Sequence, residues 1–583
     1  ACFMEKKDAE HLTDYFLSMG INSLRIHHHD TLLVKKSSGK MELDPENIDR
    51  LDYLIAQCKK KGIYITTDIY CSRRLREGEL EDVKKKYPKL HPKRIITSTP
   101  EGMENWKTFA RLWLTHRNPY TEMTLTEDPT LVFVNLVNED TLSYNWNNCP
   151  PIAEAYQEYA AKKGVEKIST ELGDPHFGKF LYEFQVKYLK EMERFVKNEL
   201  NAGFMVTSCN FGGNKVTTMI RNQFDAADDH MYVAHPTFPQ KPWSLPHNYS
   251  QVSTLPREAP VPGCLFPGII YGKPFFITEL NFCAPNRYRS EGALLTGAYC
   301  ALQDISGIYR FNFSGSLRRL KGDKQQIVPF ESVFDPIMQI SDRIIAAMFI
   351  RNDVKSSDYK ISYTIPTDFF GKQRDSGYPW VRSIGLIARI GAVFENKPFP
   401  GTFNYKNMPL EIQHRYERFN KDKIAVSSTD EIILNARQGM MTVNTERTAA
   451  ITVPKGKSAE AGVLSVSAPD CFQTVAAISR DGKPLSQSQD IVVFQLTNIC
   501  STGERYGNED RTVMEKYGTG PLLLFRGKAE ISLRLNSEAK VYALNLTGKT
   551  LGEVESHYKD GSLRFTADTG TFPGGVFGYN IRK

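Results

Sequence analysis

Helical and strand-like segments alternate along roughly the first 350 residues of the chain. The strand-like runs, which are short and rich in apolar and β-branched residues, are 22–27, 63–68, 131–138, 204–209, 225–232, 274–279 and 305–311. Apolar residues recur every three or four positions between these runs, which predicts helices at 5–19, 45–61, 101–115, 175–201, 215–222 and 289–303. Such alternation is typical of helices packed around a parallel sheet.

The number of strands indicates which parallel fold to expect. Seven strands are one fewer than a closed barrel of eight βα units needs. Because the chain starts directly at what reads as the first helix, we expect an upstream N-terminal segment to supply the first barrel strand. The predicted fold class is therefore α/β, a (β/α)8 TIM barrel whose first strand lies upstream of residue 1. A flat, doubly wound sheet is the alternative, since it also alternates strands and helices.

The pattern changes after Asn352, where helical periodicity fades and β-rich runs recur between Gly, Ser, Asp and Asn residues. This pattern is typical of an all-β sandwich. We therefore divide the chain into a barrel at 1–352, a linking and packing segment at 353–420, and a C-terminal β-sandwich at 421–583.

Composition and charge exclude several classes of protein. With 41% hydrophobic and 24% charged residues, the 583-residue chain is an ordinary globular one, long enough for more than one domain. A net charge of +7 is small for this length and argues against nucleic acid as a partner. No uncharged apolar run approaches the roughly 18 residues that span a bilayer, so we expect no membrane span. The ten cysteines form no CxxC pair and no metal-ligand spacing.

Two carboxylates each follow an apolar strand. Glu139 comes after the run 131–138, and Glu279 ends the run 274–279. In a parallel barrel the reactive groups lie at the carboxyl ends of the strands, and these two strands would face each other across the barrel mouth. A single such Glu is more often part of a salt bridge. Two together suit hydrolysis of a glycosidic bond, with retention of configuration if the carboxyl groups stand about 5–5.5 Å apart.

The order of four short motifs resembles clan A of the glycoside hydrolases, especially the cellulase-like enzymes of family 5. The motifs are Leu24-Arg25-Ile26-His27, Asn138-Glu139, His230-Met231-Tyr232 and Ile277-Thr278-Glu279. The resemblance covers roughly residues 1–350 and implies a role for each matching residue.

Under this resemblance Glu139 would be the general acid, kept neutral by burial and by the second carboxylate, and Glu279 would be the ionised nucleophile. Asn138 would hydrogen-bond the sugar 2-hydroxyl, and Arg25 would hold Glu279 charged. His230 and Tyr232 would complete the hydrogen-bonded surroundings of Glu279. For Arg25 and these last two residues, a plain structural hydrogen bond is an equally good interpretation.

Other residues near the strand ends are candidates for binding sugar. They are His27, His28, Asp68, Trp146, which is the first choice for stacking on a pyranose ring, and Phe311. Asp68 stands where such enzymes usually carry a His, and Phe311 lies where they usually carry a Trp. Strand alternation would place His27 and His29 on one face and His28 on the other, so we expect no metal here and no cofactor.

The sequence therefore predicts a retaining β-glycoside hydrolase acting on an oligo- or polysaccharide. The alternatives are a barrel that binds carbohydrate without cleaving it and a barrel with different hydrolytic or lyase chemistry. Enzymes that degrade glycans usually work outside the cytoplasm, so we expect a periplasmic or secreted protein. The pattern defines neither the sugar nor the oligomeric state.

Overall fold

A computed structural model of the protein describes residues 2–36, 40–368, 370, 379–394 and 399–583. The α-helices in these residues are α1 (Lys6–Ser18), α2 (Pro45–Lys60), α3 (Glu81–Lys86), α4 (Pro92–Ser98), α5 (Pro100–Leu114), α6 (Leu142–Asn145), α7 (Pro150–Lys163), α8 (Pro175–Arg194), α9 (Lys215–Arg221), α10 (Pro260–Gly263), α11 (Gly292–Leu302), α12 (Leu317–Leu320), α13 (Pro336–Ile345), α14 (Pro379–Gly385) and α15 (Leu410–Asp422). Among them none is long and apolar enough to cross a membrane.

The N-terminal part contains two parallel sheets. The strands of the N-terminal part are β1 (Ser23–Ile26), β2 (Tyr64–Tyr70), β3 (Leu131–Val137), β4 (Met205–Thr207), β5 (Ala227–Val233), β6 (His247–Asn248), β7 (Phe275–Phe282) and β8 (Gly307–Arg310). All of them except β6 belong to the two parallel sheets. One sheet has the order β1-β2-β3-β4 and the other β5-β7-β8, with all neighbours parallel. Each of the seven predicted runs overlaps one of these strands, so the prediction of alternating strands and helices is confirmed.

Local sequence signals explain where the second helix begins and ends. Asp44 caps α2, its side chain accepting a hydrogen bond from the Asn47 amide, and Pro45 occupies the first helical position. The chain leaves the helix at Gly62, whose φ of +70° lies in the left-handed region. The buried face of this helix, which includes Leu51 and Ile55, packs into the apolar cluster beneath β1–β4.

The two parallel sheets approach each other at both ends. At β4, the Asp225 amide before β5 donates to the Val206 carbonyl at 3.1 Å. At the other end β1 pairs only with β2, and β8 only with β7, within the described residues. A cavity of about 850 Å³ lies there, lined by residues that include Leu24, Tyr309 and Phe313.

A small parallel sheet follows in the central segment. Its strands are β9 (Lys360–Ile365), β10 (Arg389–Phe394) and β11 (Thr402–Asn404), in the order β10-β9-β11.

The C-terminal part consists mainly of antiparallel strands. They are β12 (Ile424–Val426), β13 (Ile432–Asn435), β14 (Met440–Asn444), β15 (Thr448–Val453), β16 (Ala459–Ala461), β17 (Leu464–Ser467), β18 (Gln473–Ser479), β19 (Asp490–Leu496), β20 (Ile499–Thr502), β21 (Arg505–Tyr506), β22 (Val513–Lys516), β23 (Thr519–Leu524), β24 (Lys528–Arg534), β25 (Lys540–Leu544), β26 (Thr550–Val554), β27 (Ser556–Lys559), β28 (Ser562–Asp568) and β29 (Gly578–Arg582). The larger sheets have the orders β12-β13-β14-β15-β18-β19-β29-β25-β26 and β16-β17-β24-β28-β27. Ile451 and Val493 of the first share one apolar cluster with Ile531 and Phe565 of the second.

The C-terminal part also contacts a long loop of the N-terminal part. Strand β22 pairs with β6, which lies in the loop between β5 and β7, through Val513 opposite Asn248 and Met514 opposite His247. The His247 ring is also hydrogen-bonded at 2.5 Å to the Tyr517 hydroxyl. This loop is thus held at the sheet edge of a segment more than 250 residues further along the chain.

Candidate active site

Most of the predicted site residues converge at the carboxyl ends of the parallel strands. Arg25 lies in β1, Asp68 in β2, His230 and Tyr232 in β5, and Glu279 in β7. Three further residues follow a strand within two positions, namely His27, Asn138 and Glu139, and Phe311 directly follows β8. Because parallel strands end at one edge, residues from distant parts of the chain meet there.

Glu279 is buried and held by two donors. Arg25 Nη1 donates to its Oε1 at 2.7 Å, and the Tyr232 hydroxyl donates to its Oε2. The pairing of β5 with β7 shifts register just before this residue, a bulge that redirects the side chain. Burial alone would raise the pKa of Glu279, but the charges of His230 and Arg25 outweigh burial and lower that pKa to about 2. Glu279 is therefore an ionised carboxylate at neutral pH.

Arg25 connects three side chains of the site, namely Glu279, Asp68 and Asn138. Its Nη2 donates to both carboxylate oxygens of Asp68, at 2.9 and 2.8 Å, and to Asn138 Oδ1 at 2.9 Å. Asp68 also accepts a 2.7 Å bond from His27 Nδ1. The Asp68 side chain is 0% exposed, so the predicted contact of Asp68 with sugar has no structural support. It orients Arg25 and His27 instead.

Glu139 stands opposite Glu279 and is partly open to solvent, with 37% of its side chain exposed. His230 Nδ1 lies 3.0 Å from Glu139 Oε1 and 3.6 Å from Glu279 Oε2. One carboxylate oxygen of each Glu and a ring nitrogen of His230 all lie within 4.8 Å of one another. The two carboxylates therefore flank a space in which one bond of a substrate fits.

The pKa shifts of Glu139 and His230 differ from what the sequence predicts, which is a neutral Glu139. Burial raises the pKa of Glu139, but the hydrogen bond and charge of His230 outweigh burial and lower it below the usual value. Burial lowers the pKa of His230, whereas the charge of Glu279 and the bond to Glu139 raise it overall. In the unliganded site the shared proton therefore belongs to His230, not to Glu139 as predicted.

Sequence reasoning missed three residues that position the Asn138-Glu139 pair. Asn210 Nδ2 donates to Asn138 Oδ1 at 3.2 Å, and Asn210 Oδ1 accepts from the Glu139 amide at 2.7 Å. This bond stabilises Glu139 in the left-handed region, at φ 50°. Lys93 of α4 donates to the Asn138 carbonyl at 2.5 Å, and Arg94 pairs with Asp140. Asn210 follows β4 by three residues, a position at which polar side chains are worth inspecting.

Aromatic rings form one wall of the site. The Phe311 ring lies 5.5 Å from His27 and 5.8 Å from Phe330, a residue that sequence reasoning missed. Phe330 in turn lies 5.2 Å from His235 and 6.1 Å from Trp243, centroid to centroid. Trp243 is 67% exposed and is the open end of this wall.

Trp146 lies outside this aromatic wall. Its ring packs at 4.7 Å against Phe177 of α8, within an apolar cluster that includes Tyr156. Among the described residues no ring contact or hydrogen bond joins Trp146 to the carboxylates. Its predicted stacking on sugar therefore has no structural support, and Trp243 is the better candidate.

The three consecutive histidines do not alternate as predicted. Strand β1 ends at Ile26, so alternation stops before His27. The His27 and His28 rings are neighbours at 4.1 Å, whereas His29 is buried against Trp113 at 4.2 Å. The prediction that His27 and His29 share a face is therefore wrong.

Comparisons with known proteins find similarity among solved structures. No protein-family profile and no curated protein matches the chain. Solved structures that resemble it include an endo-β-1,4-mannanase from Thermotoga petrophila, at 13% identity and a TM-score of 0.38, covering 92% of this chain and 93% of that one. An endo-1,4-β-mannanase from Rhizomucor miehei has 12% identity, coverage of 59% and 91%, and a TM-score of 0.39.

A third match is GH5_18 from Streptomyces cattleya, solved in complex with Manb1-4GlcNAc, at 10% identity, coverage of 67% and 89%, and a TM-score of 0.40. With TM-scores and identities this low, the function must be inferred from the geometry of the site.

Proposed function

We propose that the protein is a retaining β-glycoside hydrolase in which Glu279 is the nucleophile and Glu139 the acid and base. The observation that carries this proposal is the approach of the two carboxylates, whose oxygens come within 4.8 Å of each other. Retaining enzymes keep their carboxyl groups about 5–5.5 Å apart, whereas inverting enzymes need about 6.5–9.5 Å to admit a water molecule.

In the first step a Glu279 oxygen attacks the anomeric carbon while the glycosidic oxygen leaves with a proton. The C–O bond to the aglycone breaks, and an ester bond between Glu279 and the sugar forms. Arg25 and Tyr232 support this role, because they keep Glu279 charged and hold both of its oxygens in a fixed orientation.

The leaving oxygen takes its proton from the Glu139–His230 pair. His230 holds that proton at Nδ1, 3.0 Å from Glu139 Oε1, and Glu139 is the member of the pair that is open to the cleft. Once Glu279 is esterified its negative charge disappears, and one cause that raises the pKa of Glu139 is lost. Glu139 is then a carboxylate that removes a proton from the water that hydrolyses the ester.

Asn138 is suited to bind the sugar 2-hydroxyl. Its Oδ1 accepts from Arg25 at 2.9 Å and from Asn210 at 3.2 Å. These two bonds fix the orientation of the amide and leave Nδ2 as the donor to a substrate hydroxyl.

We infer a (β/α)8 barrel for the N-terminal part and a β-sandwich for the C-terminal part. Seven parallel strands whose carboxyl ends share one site support the first inference, and the cavity between β8 and β1 is large enough for a further strand. Two antiparallel sheets that share one apolar cluster support the second. The substrate class is a β-linked oligo- or polysaccharide, and a polymer too large to be imported favours action outside the cytoplasm.

The test is hydrolysis of a panel of aryl β-glycosides and polysaccharides by the wild type and two variants. We expect Glu279→Gln to lose at least about 10⁴-fold in kcat, and Glu139→Gln about 10²–10⁴-fold on substrates with poor leaving groups. NMR of the first-formed sugar should show a retained anomeric configuration.

The matched control is Glu291→Gln, since Glu291 is also buried and accepts hydrogen bonds from Ser253 and Thr254 but lies outside the site. We expect this variant to keep its activity. An inverted product would contradict the mechanism. A wild type that binds glycans, cleaves none, and binds equally well as Glu279→Gln would indicate a carbohydrate-binding protein.

A further inference from the structure

A cluster of nitrogen and sulfur ligands lies beside the carboxylates and has no part in the proposed hydrolysis. His27 and His28 follow β1, and Cys71 follows the neighbouring parallel strand β2. The Cys71 sulfur lies 3.1 Å from His27 Nε2 and 3.3 Å from His28 Nδ1. The three ligand atoms lie within 4.8 Å of one another.

These separations fit a tetrahedral metal site. Zinc takes thiolate sulfur at about 2.3 Å and imidazole nitrogen at about 2.0–2.1 Å, which places neighbouring ligand atoms about 3.5 Å apart. The observed S···N distances of 3.1 and 3.3 Å are within a few tenths of an ångström of this value. The donor atoms are therefore already spaced as a bound ion requires. Binding needs a change in the rotamer of Cys71 or His27, which places sulfur in line with Nε2, and the exchange of the 2.9 Å bond between His28 Nδ1 and the Ser72 hydroxyl for the ion.

The surroundings of His27 are those of a metal ligand. Its Nδ1 bonds Asp68 Oδ2 at 2.7 Å, so the proton on that nitrogen is held by the carboxylate and Nε2 keeps a free lone pair. The Cys71 sulfur lies beside this ring, 3.1 Å from Nε2 and 3.5 Å from Nδ1. A carboxylate that fixes the tautomer of a histidine is a recurrent partner of zinc ligands. His28 is exposed, so an ion reaches the cluster from solvent.

We propose that His27, His28 and Cys71 bind a thiophilic d10 metal ion of the Zn²⁺ class. Coordination breaks the S–H bond of Cys71, forms the metal–sulfur bond and releases one proton to the solvent. The sequence-based expectation of no metal considered only the alternation of His27, His28 and His29 along a strand and left Cys71 out.

A metal ion bound in this cluster would lie next to the proposed nucleophile, Glu279. His27 Nε2 lies 3.5 Å from Glu279 Oε1, so an ion bound to this nitrogen is adjacent to the nucleophile. A positive ion there either lowers the nucleophilicity of Glu279 through its charge or takes the carboxylate as the fourth ligand, which occupies a lone pair that would attack the sugar. Metal binding therefore inhibits hydrolysis. This second part of the inference rests on the proposed function, whereas metal binding does not.

Cobalt titration tests the site without any need for activity. Metal-free protein titrated with Co²⁺ should develop a thiolate-to-cobalt charge-transfer band that saturates at one equivalent, and Zn²⁺ should displace it. Cys71→Ser should abolish the band, and His28→Asn should weaken cobalt affinity at least 10-fold. The matched control is Cys500→Ser, which removes a partly accessible cysteine outside the cluster and should keep the full band.

The outcomes separate the two parts of the inference. A wild type without the charge-transfer band, or a band that survives in both Cys71→Ser and His28→Asn, would overturn the metal site. His28→Asn serves if Cys71→Ser fails to fold, because His28 is on the surface. One equivalent of Zn²⁺ should lower hydrolysis by the wild type at least 10-fold, reversibly with a chelator. Full hydrolytic activity with zinc bound would contradict the inhibition by metal. A metal-free protein that binds cobalt but hydrolyses no glycoside would contradict the proposed hydrolase function and leave the metal site standing.

Discussion

At the scale of single residues, the site depends on the hydrogen bonds that Arg25 and Tyr232 donate to the charged carboxylate of Glu279. Arg25 is committed on its other side to Asp68 and Asn138, so it cannot turn away from the carboxylate without breaking several bonds. Tyr232 contributes one hydroxyl, and burial together with the charge of Glu279 raises the pKa of this phenol well above its usual value. The phenol therefore stays a hydrogen-bond donor across the working range of pH.

Replacing Tyr232 tests the contribution of that hydroxyl. In Tyr232→Phe, Glu279 loses a donor to its charged form, so its pKa rises from about 2 and the acid limb of kcat/KM moves to higher pH. We expect kcat to fall about 10–100-fold, as for the loss of a hydrogen bond to a charged group. Profiles of kcat/KM against pH measure both effects. Tyr15→Phe, which removes a hydroxyl bonded to Gln339, should change neither, and an unmoved acid limb in Tyr232→Phe would contradict this reasoning.

The alkaline limb should report on His230. In the wild type the acid proton is held by His230, whose pKa lies above its usual value, so activity falls as the pH rises through that raised pKa. In His230→Gln the proton is held by the carboxyl group of Glu139 alone, and the alkaline limb moves to lower pH. His116→Gln, which removes a histidine paired with Asp52, is the control. An alkaline limb unchanged in His230→Gln would show that the proton comes from another group.

The sequence predicted the proposed catalytic pair for a simple physical reason. A Glu near the carboxyl end of a buried parallel strand lies at the shared edge whatever the loops do, so Glu139 and Glu279 could be placed together without a structure. The orientation of His28 and His29 could not, because it depends on the residue at which β1 ends. Trp146 was misplaced because its loop forms a short helix and packs on α8, a contact that no local pattern predicts.

At the scale of elements, the α4–α5 hairpin holds the segment that carries Glu139. Lys93 and Arg94 of α4 bind the Asn138 carbonyl and Asp140. The sequence did not predict α4, because its short run of Ile, Thr and Ser residues resembles a strand. Long helices with clear caps, such as α2, were predicted to within one residue.

Gly102 sets how closely the two helices of this hairpin approach. A Cβ at this position would collide with the Ile95 carbonyl and lie 2.8 Å from Ile96 Cα. Gly102→Ala should therefore lower the free energy of unfolding by about 1–3 kcal/mol, although alanine favours helix by about 1 kcal/mol. Chemical denaturation measures the change. Thr108→Ala on the exposed face of α5 should stay within about 0.5 kcal/mol of the wild type, and a Gly102→Ala variant more stable than the wild type would contradict the prediction.

At the scale of the whole molecule, the segments predicted as separate domains share one apolar core. A single cluster contains Ile277 of β7, Leu294 of α11, Ile390 of β10 and Ile432 of β13. Sequence patterns predicted a change from helical to strand-rich texture but could not show this continuity, because it depends on contacts between residues far apart along the chain. The boundaries at 352 and 420 remain predictions.

The shared core predicts the behaviour of a shortened chain. A chain ending at Asp422 would expose the face that Ile432 and its neighbours cover and would leave β6 without its partner strand. We expect this chain to be aggregated or proteolytically labile and to lack hydrolytic activity, whereas removal of the exposed terminal residue Lys583 should have no effect. Size-exclusion chromatography and limited proteolysis test this. A soluble, monomeric and active chain ending at Asp422 would contradict it.

The pairing of β6 with β22 also bears on how such a protein can diversify. The loop that carries His235 and Trp243 is anchored to a strand encoded far downstream, so the open end of the aromatic wall and the C-terminal strands should change together. Recombination that exchanged only one of the two would join a loop to a mismatched strand edge. The C-terminal part is therefore a poor candidate for module swapping, and new substrate preferences should arise by coordinated substitution on both sides of this pairing.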